Sequence, residues 1–372
     1  MHKVEKLNIG IVGAVGRGAS FQAAFDAHPA AQIHAICDIR SEALVEAAER
    51  LGAAETYNNY DEMLAHADID AVVIGTPMQF HAPQAIRALE KNIHVLSEVT
   101  AGVSLEECRD LVQAANRSSA IYMMAENYTY IKSNVLVKTL VKQGLFGDVY
   151  YAEGEYLHEL KELNEMTKWR RKWQTGIDGI TYITHSLGPI LQWMPGDRVA
   201  RLSCAGSGHH YIDPRGHYYE NQDSCVVLAK TVKGALIKIR VDMLSNRPHS
   251  MTNYSLQGTQ GCYESARSQM ESHKIWLADH SPDMNTWLSL ESLEQKYLPT
   301  MWQNPPQAAL HAGHGGGDYF EVLDFINSIV NGSPCPIGIH EAMDMTLPGL
   351  VSQLSILNEN KWLEVPDSRS WA

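Results

Sequence analysis

The chain opens with a short apolar run that leads directly into a glycine-rich turn and then into a helical pattern. Leu7–Val12 (LNIGIV) predicts a buried strand, and Gly13, Gly16 and Gly18 follow it in the sequence GAVGRG. Glycines let a phosphate approach the backbone, and a helix N-terminus carries a partial positive charge. The arrangement therefore predicts a dinucleotide-binding βαβ unit, although the G-x-x-G-x-G spacing by itself is a weak signal.

A carboxylate at the end of the second apolar run strengthens this prediction. The run at residues 33–37 is followed directly by Asp38, which lies twenty residues after Gly18. A carboxylate at this point accepts hydrogen bonds from an adenosine ribose and repels a 2′-phosphate, so Asp38 favours NAD over NADP. Arg40 opposes that preference, because a nearby guanidinium can neutralise such a phosphate. The competing interpretation is a plain βαβ unit whose glycines only turn the chain.

Strand and helix patterns go on alternating up to about residue 124. Residues 69–75, 93–96 and 120–124 predict buried strands, and helical patterns start at His81 and after Ser104. This alternation predicts a doubly wound α/β domain with a parallel sheet. Ligands of such sheets bind beyond the carboxyl ends of the strands. Six residues are therefore expected along one rim: Gly13, Asp38, Thr76, Pro77, Glu98 and Glu126.

The pattern changes after residue 124. Strand-like runs at 149–156, 199–205, 224–230, 235–243 and 253–257 predict a second, mostly antiparallel sheet. Helical patterns follow at 318–330 and 342–358. Because 372 residues exceed one ordinary core, we predict a first domain at 1–124, a second at 125–345 and a carboxyl-terminal helix and tail at 346–372.

Charge and composition restrict the partners. A formal net charge of −13 argues against nucleic acid and anionic membranes, which require a basic surface, and favours a small-molecule ligand. No amino-terminal signal pattern and no apolar run of membrane-spanning length occurs, so a cytoplasmic protein is expected. The six cysteines are scattered without metal-binding spacing, and His209, His210, Asp213 and His217 are interpreted as a polar loop instead of a metal site.

Five segments together resemble one enzyme family. They are GAVGRG, the strand ending at Asp38, TPMQFH (76–81), NIHVLSE (92–98) and GLFGDV (144–149). In these segments the chain is similar to the Gfo/Idh/MocA oxidoreductases. The resemblance implies a Rossmann domain joined to an α/β domain with a large, mostly antiparallel open sheet. It also implies hydride transfer between NAD(P) and a sugar or cyclitol, in a homodimer or homotetramer.

The departures from that family are equally informative. Its dehydrogenases have Glu-Lys-Pro after the fourth strand, whereas this chain has Glu98-Val99-Thr100, and Thr181 stands where they have an aspartate four residues before a histidine. In place of these groups the chain has Tyr-Ile-Thr-His-Ser-Leu-Gly-Pro at 182–189 and a glycine-rich segment at 314–318. Both segments resemble the NAD-dependent α-N-acetylgalactosaminidases of glycoside hydrolase family 109.

This second resemblance implies a redox route to glycoside cleavage. Oxidation at C3 of a sugar by NAD acidifies the C2 proton, the aglycone leaves from C1 by elimination, and water addition and re-reduction complete hydrolysis; NAD-dependent enzymes are known exceptions to the two-carboxylate scheme. His185 is then expected beside the reacting carbinol, and Tyr182 or Tyr156 at C2. The expected cofactor-binding residues are Gly13, Val15, Gly16, Arg17, Gly18, Asp38, Thr76, Pro77, His81, Glu98 and Asn127. The expected substrate-binding residues are Glu126, Trp169, Arg170, Tyr297 and His314.

Other interpretations remain open at this point. The chain could be a sugar or cyclitol dehydrogenase that uses His185 instead of the lysine, or a sensor that binds a dinucleotide without turnover. Individual residues also have purely structural alternatives. Tyr156 could pack in a sheet, Glu98 could brace the following helix, and Trp169 and Arg170 could form a stacked pair.

Overall fold

A computed structural model describes residues 6–248, 250–268 and 270–371. The chain forms two compact units. Unit 1 comprises Met1–Tyr130, Pro305–Met343 and Ser368–Ala372, and unit 2 comprises Ile131–Asn304 and Asp344–Asp367. The segment Pro305–Met343, which we assigned to the second domain from sequence, is thus part of the first compact unit. The domain limits at 124 and 345 stay predictions.

The amino-terminal part of unit 1 alternates strands and helices. Its elements are β1 (Leu7–Val12), α1 (Gln22–Ala27), β2 (Ala31–Cys37), α2 (Ser41–Leu51), β3 (Glu55–Tyr57), α3 (Tyr60–His66), β4 (Ala71–Ile74), α4 (His81–Leu89), β5 (His94–Glu98), α5 (Leu105–Arg117) and β6 (Tyr122–Ala125). The strands form a parallel sheet in the order β3-β2-β1-β4-β5-β6. This is the Rossmann order, and it confirms the predicted doubly wound sheet.

Burial explains why these strands form the centre of the unit. All four residues of β4 are buried, as an apolar strand covered by helices on both faces requires. Because β1 lies between β2 and β4, the strand order reverses beside its carboxyl end. The glycine turn starts at this point, which is where open α/β sheets bind ligands.

The start of α5 follows the sequence prediction closely. The Ser104 side chain accepts a hydrogen bond from the Glu107 backbone nitrogen at 3.1 Å, and the Glu107 carboxylate accepts one from Val103 N at 3.1 Å. Together these bonds satisfy two backbone donors that a helix start leaves unpaired. They anchor the chain that returns from Glu98 at the end of β5.

Unit 2 contains a larger sheet. The elements are α6 (Lys132–Lys142), β7 (Val149–Leu157), α7 (Lys161–Met166), α8 (Lys168–Trp173), α9 (Thr184–Trp193), β8 (Val199–Gly206), β9 (Ser224–Thr231), β10 (Leu236–Asp242), β11 (Met251–Gly258), β12 (Gly261–Glu264), β13 (Lys274–Leu277), β14 (Leu288–Ser289), α10 (Glu294–Tyr297) and α11 (Thr300–Gln303). After α11 the chain continues through α12 (Gln307–His311), α13 (Gly317–Val330), α14 (Ile339–Leu357) and β15 (Leu363–Glu364).

The strands of unit 2 pair in the order β14-β13-β12-β11-β7-β10-β9-β8-β15. The β7 and β10 strands pair in parallel, and the other neighbouring strands of this sheet pair antiparallel. The predicted mostly antiparallel sheet is therefore confirmed. The five strand-like runs correspond to β7 to β11, whereas the short strands β12 to β15 were not predicted.

Helix α9 packs closely on the centre of this sheet. A Cβ atom on Gly154 of β7 would lie 2.4 Å from the Ser186 carbonyl oxygen, so only glycine allows this approach. On β11, the Tyr254 hydroxyl donates a hydrogen bond to the His185 carbonyl oxygen at 2.5 Å, and the Trp193 ring packs edge-on against Tyr254. These contacts hold the first turn of α9, and with it His185, against β7 and β11.

Within residues 6–248, 250–268 and 270–371, no helix combines the length and the hydropathy that crossing a membrane requires.

Candidate active site

The glycine turn packs backbone against backbone. Gly13 has φ +81°, and a Cβ atom there would lie 2.5 Å from the Gly75 carbonyl oxygen. A Cβ atom on Gly75 would lie 2.4 Å from the Gly18 nitrogen. Side chains are thus excluded where the turn after β1 crosses the end of β4. This is a cradle that a dinucleotide phosphate needs, so the residues present fit NAD.

Asp38 lies at the carboxyl end of β2, where its carboxylate is held ionised. It accepts hydrogen bonds from Val15 N at 3.0 Å, Arg40 Nε at 2.9 Å and Arg40 Nη2 at 3.0 Å. Burial alone would raise the pKa of Asp38, but the bonds from Arg40 and Val15 hold that pKa below its usual value. The carboxylate suits a ribose diol, whereas the Arg40 side chain, 56% exposed, is the group available to a 2′-phosphate.

Arg17 connects the glycine turn to two carboxylates of unit 1. Its Nε donates to Glu98 Oε1 at 2.5 Å, and Nη1 and Nη2 donate to Asp318 Oδ2 and Oδ1 at 2.5 and 3.1 Å. Burial alone would lower the pKa of Arg17, but Glu98 and Asp318 raise it above its usual value. The expected cofactor residues Arg17 and Glu98 therefore lie together, and Asp318 joins them from the start of α13.

The glycine-rich segment brings a histidine to the same carboxylate. His314 Nδ1 lies 2.9 Å from Asp318 Oδ1, and the Asn127 amide nitrogen donates to that oxygen at 3.2 Å. Burial alone would raise the pKa of Asp318, but hydrogen bonds from His314 and Arg17 hold it well below its usual range. We name Arg17, Glu98, Asn127, His314 and Asp318 the Asp318 cluster. Sequence reasoning missed Asp318, whose signal was its place four residues after His314.

His81, which we predicted as a cofactor-binding residue, has both ring nitrogens close to backbone carbonyl oxygens. Its Nδ1 lies 2.9 Å from the Thr100 carbonyl oxygen and its Nε2 lies 2.8 Å from the Thr76 carbonyl oxygen. The ring is buried, and burial lowers its pKa. Because both ring nitrogens contact backbone, His81 joins the loops after β4 and β5. It thereby holds Thr76 and Pro77 at the rim.

Two buried carboxyl groups lie deeper in unit 1. Glu126 follows β6 and accepts a hydrogen bond from Tyr128 N at 3.2 Å. Glu321 is fully buried in α13, and neither of its carboxyl oxygens has a hydrogen-bond partner within the described residues. Burial, followed by the negative charge of Asp318, raises the pKa of Glu321 well above its usual value. A substrate-binding role for Glu126 stays a prediction.

Unit 2 collects the three predicted catalytic residues in one aromatic cluster. The Tyr156 ring centroid lies 5.6 Å from that of Tyr182 and 5.3 Å from that of His185, and Tyr182 lies 5.2 Å from His185. Tyr156 is 4% exposed and His185 is 6% exposed. Tyr182 stands three residues before His185, but α9 begins only at Thr184. Tyr182 thus reaches His185 from the preceding loop.

A fourth ring completes this cluster. The Tyr156 hydroxyl lies 2.8 Å from His158 Nδ1, and the two rings meet edge to face at 5.7 Å. The backbone nitrogen of His158 also donates to the Asp242 carbonyl oxygen at 2.9 Å. Sequence reasoning gave His158 no catalytic role. The available signal was its spacing, since residues i and i+2 of an extended segment lie on the same face.

Three predicted substrate residues of unit 2, Trp169, Arg170 and Tyr297, contact neighbouring side chains. The Arg170 guanidinium lies 4.4 Å over the Trp169 ring and donates to Gln174 Oε1 at 2.8 Å. Tyr297 is 7% exposed, and its hydroxyl lies 2.6 Å from His280 Nε2. Trp169 and Arg170 therefore form the stacked pair that the sequence analysis gave as an alternative. Substrate contacts by these residues remain predictions.

The histidine-rich loop has contacts of its own. His210 Nδ1 lies 2.6 Å from Asp223 Oδ2, His209 Nδ1 lies 2.9 Å from the Tyr219 carbonyl oxygen, and Asp213 pairs with Arg215 at 3.0 Å. In the described part of the chain, no group of three or more His, Cys, Asp or Glu side chains is arranged to hold a metal ion.

Two family models match the chain. Residues 7–126 match the GFO_IDH_MocA model, described as the oxidoreductase family with an NAD-binding Rossmann fold. Residues 130–371 match the model of the glycosyl hydrolase 109 C-terminal domain.

Curated relatives agree with the second model. The chain is 31% identical to an alpha-N-acetylgalactosaminidase of Shewanella oneidensis, an alignment that covers 98% of this chain and 85% of that protein. It is 32% identical to glycosyl hydrolase family 109 protein 1 of Shewanella sp. strain ANA-3, with the same coverage of both chains.

Solved structures establish the fold. A levoglucosan dehydrogenase in complex with NADH and L-sorbose superposes with a TM-score of 0.83 at 20% identity, covering 98% of this chain and all of that one. The WlbA dehydrogenase from Bordetella pertussis, in complex with NADH and UDP-GlcNAcA, has a TM-score of 0.76 at 20% identity, covering 97% and 98% of the two chains. The fold, family and cofactor predictions are thereby confirmed. The chain belongs to glycosyl hydrolase family 109 and is an NAD-dependent enzyme built on the Rossmann fold of the Gfo/Idh/MocA oxidoreductases.

Proposed function

We propose that this protein cleaves a glycoside by transient oxidation of the sugar at C3. The observation that carries the proposal is the aromatic cluster of Tyr156, Tyr182 and His185, whose ring centroids lie within 5.6 Å of one another. These are proton-transfer groups, and such a route needs a base and an acid besides a redox cofactor. The relative named as an alpha-N-acetylgalactosaminidase makes α-N-acetylgalactosaminides the first substrates to test.

The cofactor is assigned to unit 1. The turn at Gly13, Gly16 and Gly18 would hold the pyrophosphate, and Asp38 the adenosine ribose. When bound, NAD supplies a reversible hydride acceptor for the carbon that is oxidised.

His185 is assigned to the C3 hydroxyl. Its imidazole accepts the hydroxyl proton as the C3–O bond becomes a carbonyl, and it returns that proton at the end of the cycle. The backbone of His185 is held in place, because its carbonyl oxygen accepts a hydrogen bond from the Tyr254 hydroxyl. A rigidly held base loses less entropy when it reacts.

Tyr156 is assigned to the C2 proton. The C3 ketone makes that proton acidic, and its removal forms a C1–C2 double bond as the bond from C1 to the aglycone oxygen breaks. A phenol must lose its own proton before it can act as a base, and His158 Nδ1 lies 2.8 Å from the Tyr156 hydroxyl. The pair can therefore move a proton from the phenol to the imidazole.

His314 is assigned to the leaving aglycone. Because Nδ1 faces Asp318 Oδ1 at 2.9 Å, Nε2 is the ring nitrogen assigned to the aglycone oxygen. Nε2 donates to the departing oxygen and then takes a proton from the water that adds to C1. Tyr156 returns the proton to C2, so that the sum of the steps is hydrolysis.

One incubation tests this proposal against its alternatives. Purified protein, NAD⁺ and 4-nitrophenyl α- and β-glycosides, beginning with the N-acetylgalactosaminides, are followed at the wavelengths of nitrophenolate and reduced nicotinamide together. We expect aglycone release without net NADH accumulation, lost in His185→Ala. Stoichiometric NADH with an intact glycosidic bond would instead identify a dehydrogenase. Cofactor binding without either product would identify a sensor that binds the dinucleotide without turnover.

We also propose that the chain assembles as a homodimer or homotetramer, as its resemblance to the Gfo/Idh/MocA family implies. Light scattering coupled to size-exclusion chromatography measures this state directly, and a monomer at micromolar concentration would refute it.

A further inference from the structure

We infer that Asp318 is a positioning residue that couples the loop carrying His314 to Arg17, and therefore to the cofactor turn. The catalytic meaning of this coupling depends on the proposed function, in which His314 is the acid. The coupling itself concerns only nucleotide binding and loop order.

The first step is the sharing of one buried carboxylate. The side chain of Asp318 is 1% exposed, and both of its oxygens contact the Arg17 guanidinium. The oxygen Oδ1 is also the partner of His314 Nδ1 at 2.9 Å. A bidentate arginine fixes the plane of a carboxylate. The orientation of Asp318, and with it the direction of the His314 bond, thus depends on Arg17.

The second step is the conformation of the loop itself. Three consecutive residues have positive φ: His314 at +55°, Gly315 at +65° and Gly316 at +95°. A non-glycine residue in this region is unfavourable unless other contacts impose it. The preceding residue, Gly313, lies so close to Asp318 that a Cβ atom on it would be only 2.5 Å from Asp318 Oδ2. The loop is therefore folded directly onto the carboxylate and depends on it for its shape.

The third step concerns the neighbouring charges. Glu98 also binds Arg17, so the guanidinium is held between two carboxylates. Glu321, one turn after Asp318, is fully buried, and neither of its carboxyl oxygens has a hydrogen-bond partner within the described residues. Arg17 therefore bonds Asp318 and Glu98 but not Glu321. The arginine links the turn to α13 through Asp318.

The coupling follows from these three steps. Arg17 stands between Gly16 and Gly18, so a ligand that immobilises the turn also restricts Arg17. Restriction of Arg17 orders Asp318 and, through it, the His314 loop. Linkage is reciprocal, so the ordered loop must in turn favour nucleotide binding.

A double-mutant cycle on nucleotide affinity tests this coupling without turnover. The Kd of NAD⁺ is measured by calorimetry on nucleotide-free full-length protein for wild type, His314→Gln, Asp318→Asn and the double variant. We expect each single substitution to weaken NAD⁺ binding about 5-fold or more, and the double variant to bind about as well as Asp318→Asn alone. Additive effects would overturn the inference.

Hydrogen exchange provides the second readout. In wild type, NAD⁺ should slow exchange of the amides at 313–317, and in Asp318→Asn this protection should be lost. Asp324→Asn is the matched control, because it removes a carboxylate of the same helix whose partner is Tyr130. It should keep wild-type affinity and protection. Unchanged protection in Asp318→Asn would contradict the coupling.

A substitute variant and an activity assay distinguish a failure of the coupling from a failure of the proposed acid role of His314. If Asp318→Asn does not fold, Arg17→Lys breaks the bidentate contact from the other side, and the same cycle is run with His314→Gln. If the cycle is non-additive but His314→Gln retains full glycosidase activity, the coupling stands and only the acid role proposed for His314 fails.

Discussion

The Tyr156 hydroxyl lies 2.8 Å from Nδ1 of His158, which is two residues further along the chain and directly follows the last residue of β7. The two side chains share one face because alternate residues of an extended segment point the same way. Tyr156 also contacts the rings of Tyr182 and His185. A phenol placed between an imidazole acceptor and a second histidine is arranged for proton transfer.

We predict that His158 sets the rate of proton removal at C2. His158→Leu removes the partner of the Tyr156 hydroxyl and should lower kcat/KM about 10- to 100-fold. His158→Asn keeps a polar atom near the position of Nδ1 and should recover part of that loss. Tyr156→Phe removes the base itself and should cost about 100- to 10,000-fold.

The measurement is exchange of the sugar C2 proton with solvent deuterium, followed by NMR alongside aglycone release. The variants should lose exchange and release together. Wild-type exchange in Tyr156→Phe would assign the C2 proton to another group.

We predict that Asp38 and Arg40 act in opposite directions on cofactor choice. Asp38→Ala removes the ribose acceptor and should weaken NAD⁺ binding about 10- to 100-fold, since hydrogen bonds to charged groups are worth about 1.5–3 kcal/mol. Arg40→Ala should weaken NADP⁺ more than NAD⁺, because only NADP⁺ has a phosphate for that side chain to bind. Calorimetric titration of both nucleotides measures the ratio. An equal loss for both in Arg40→Ala would exclude this role.

We predict that Glu321→Gln stabilises the protein at neutral and alkaline pH. The folded state raises the pKa of Glu321 well above its usual value, mainly through burial. Between the unfolded pKa, about 4.3, and the folded pKa, the native state holds the proton that the unfolded state has lost, so stability falls as pH rises. Glutamine removes this dependence, which is worth up to about 1.4 kcal/mol for each pH unit in that window.

Thermal unfolding at a series of pH values provides the measurement. The Tm difference between Glu321→Gln and wild type should grow from pH 4.5 to pH 8. A constant difference would mean that Glu321 does not titrate on unfolding.

We predict that Gly13 tolerates no side chain because of its neighbours and not only because of its φ angle. Gly13 and Gly52 have φ values of +81° and +65°, but a Cβ atom on Gly52 meets no atom within 4 Å. Gly52→Ala should therefore cost about 1–2 kcal/mol from backbone strain alone. Gly13→Ala adds the overlap with the Gly75 carbonyl and should cost more, with loss of NAD⁺ binding. Urea unfolding and nucleotide titration distinguish the two variants, and equal destabilisation would refute the overlap.

Local signals in the sequence were sufficient for most of the fold. The glycine turn, the strand ending at Asp38 and the Ser104 helix start depend on backbone conformation and nearest neighbours, which a sequence pattern expresses directly. The longer strands β7 to β11 were visible for the same reason. Strands β12 to β15, of two to four residues, carry too few alternations to be recognised.

The sequence by itself therefore determined a Rossmann unit, a second antiparallel sheet and the residue types of a redox glycosidase, because periodicity and glycine placement are local properties. The tertiary structure alone decided which side chains meet. Arg17 and Asp318 are 301 positions apart, and their contact exists only because α13 returns to the first unit. The structure also showed that His81 is held by backbone carbonyls and that Tyr182 meets His185 from outside the helix. Such pairings depend on chain folding over long separations, which no local pattern encodes.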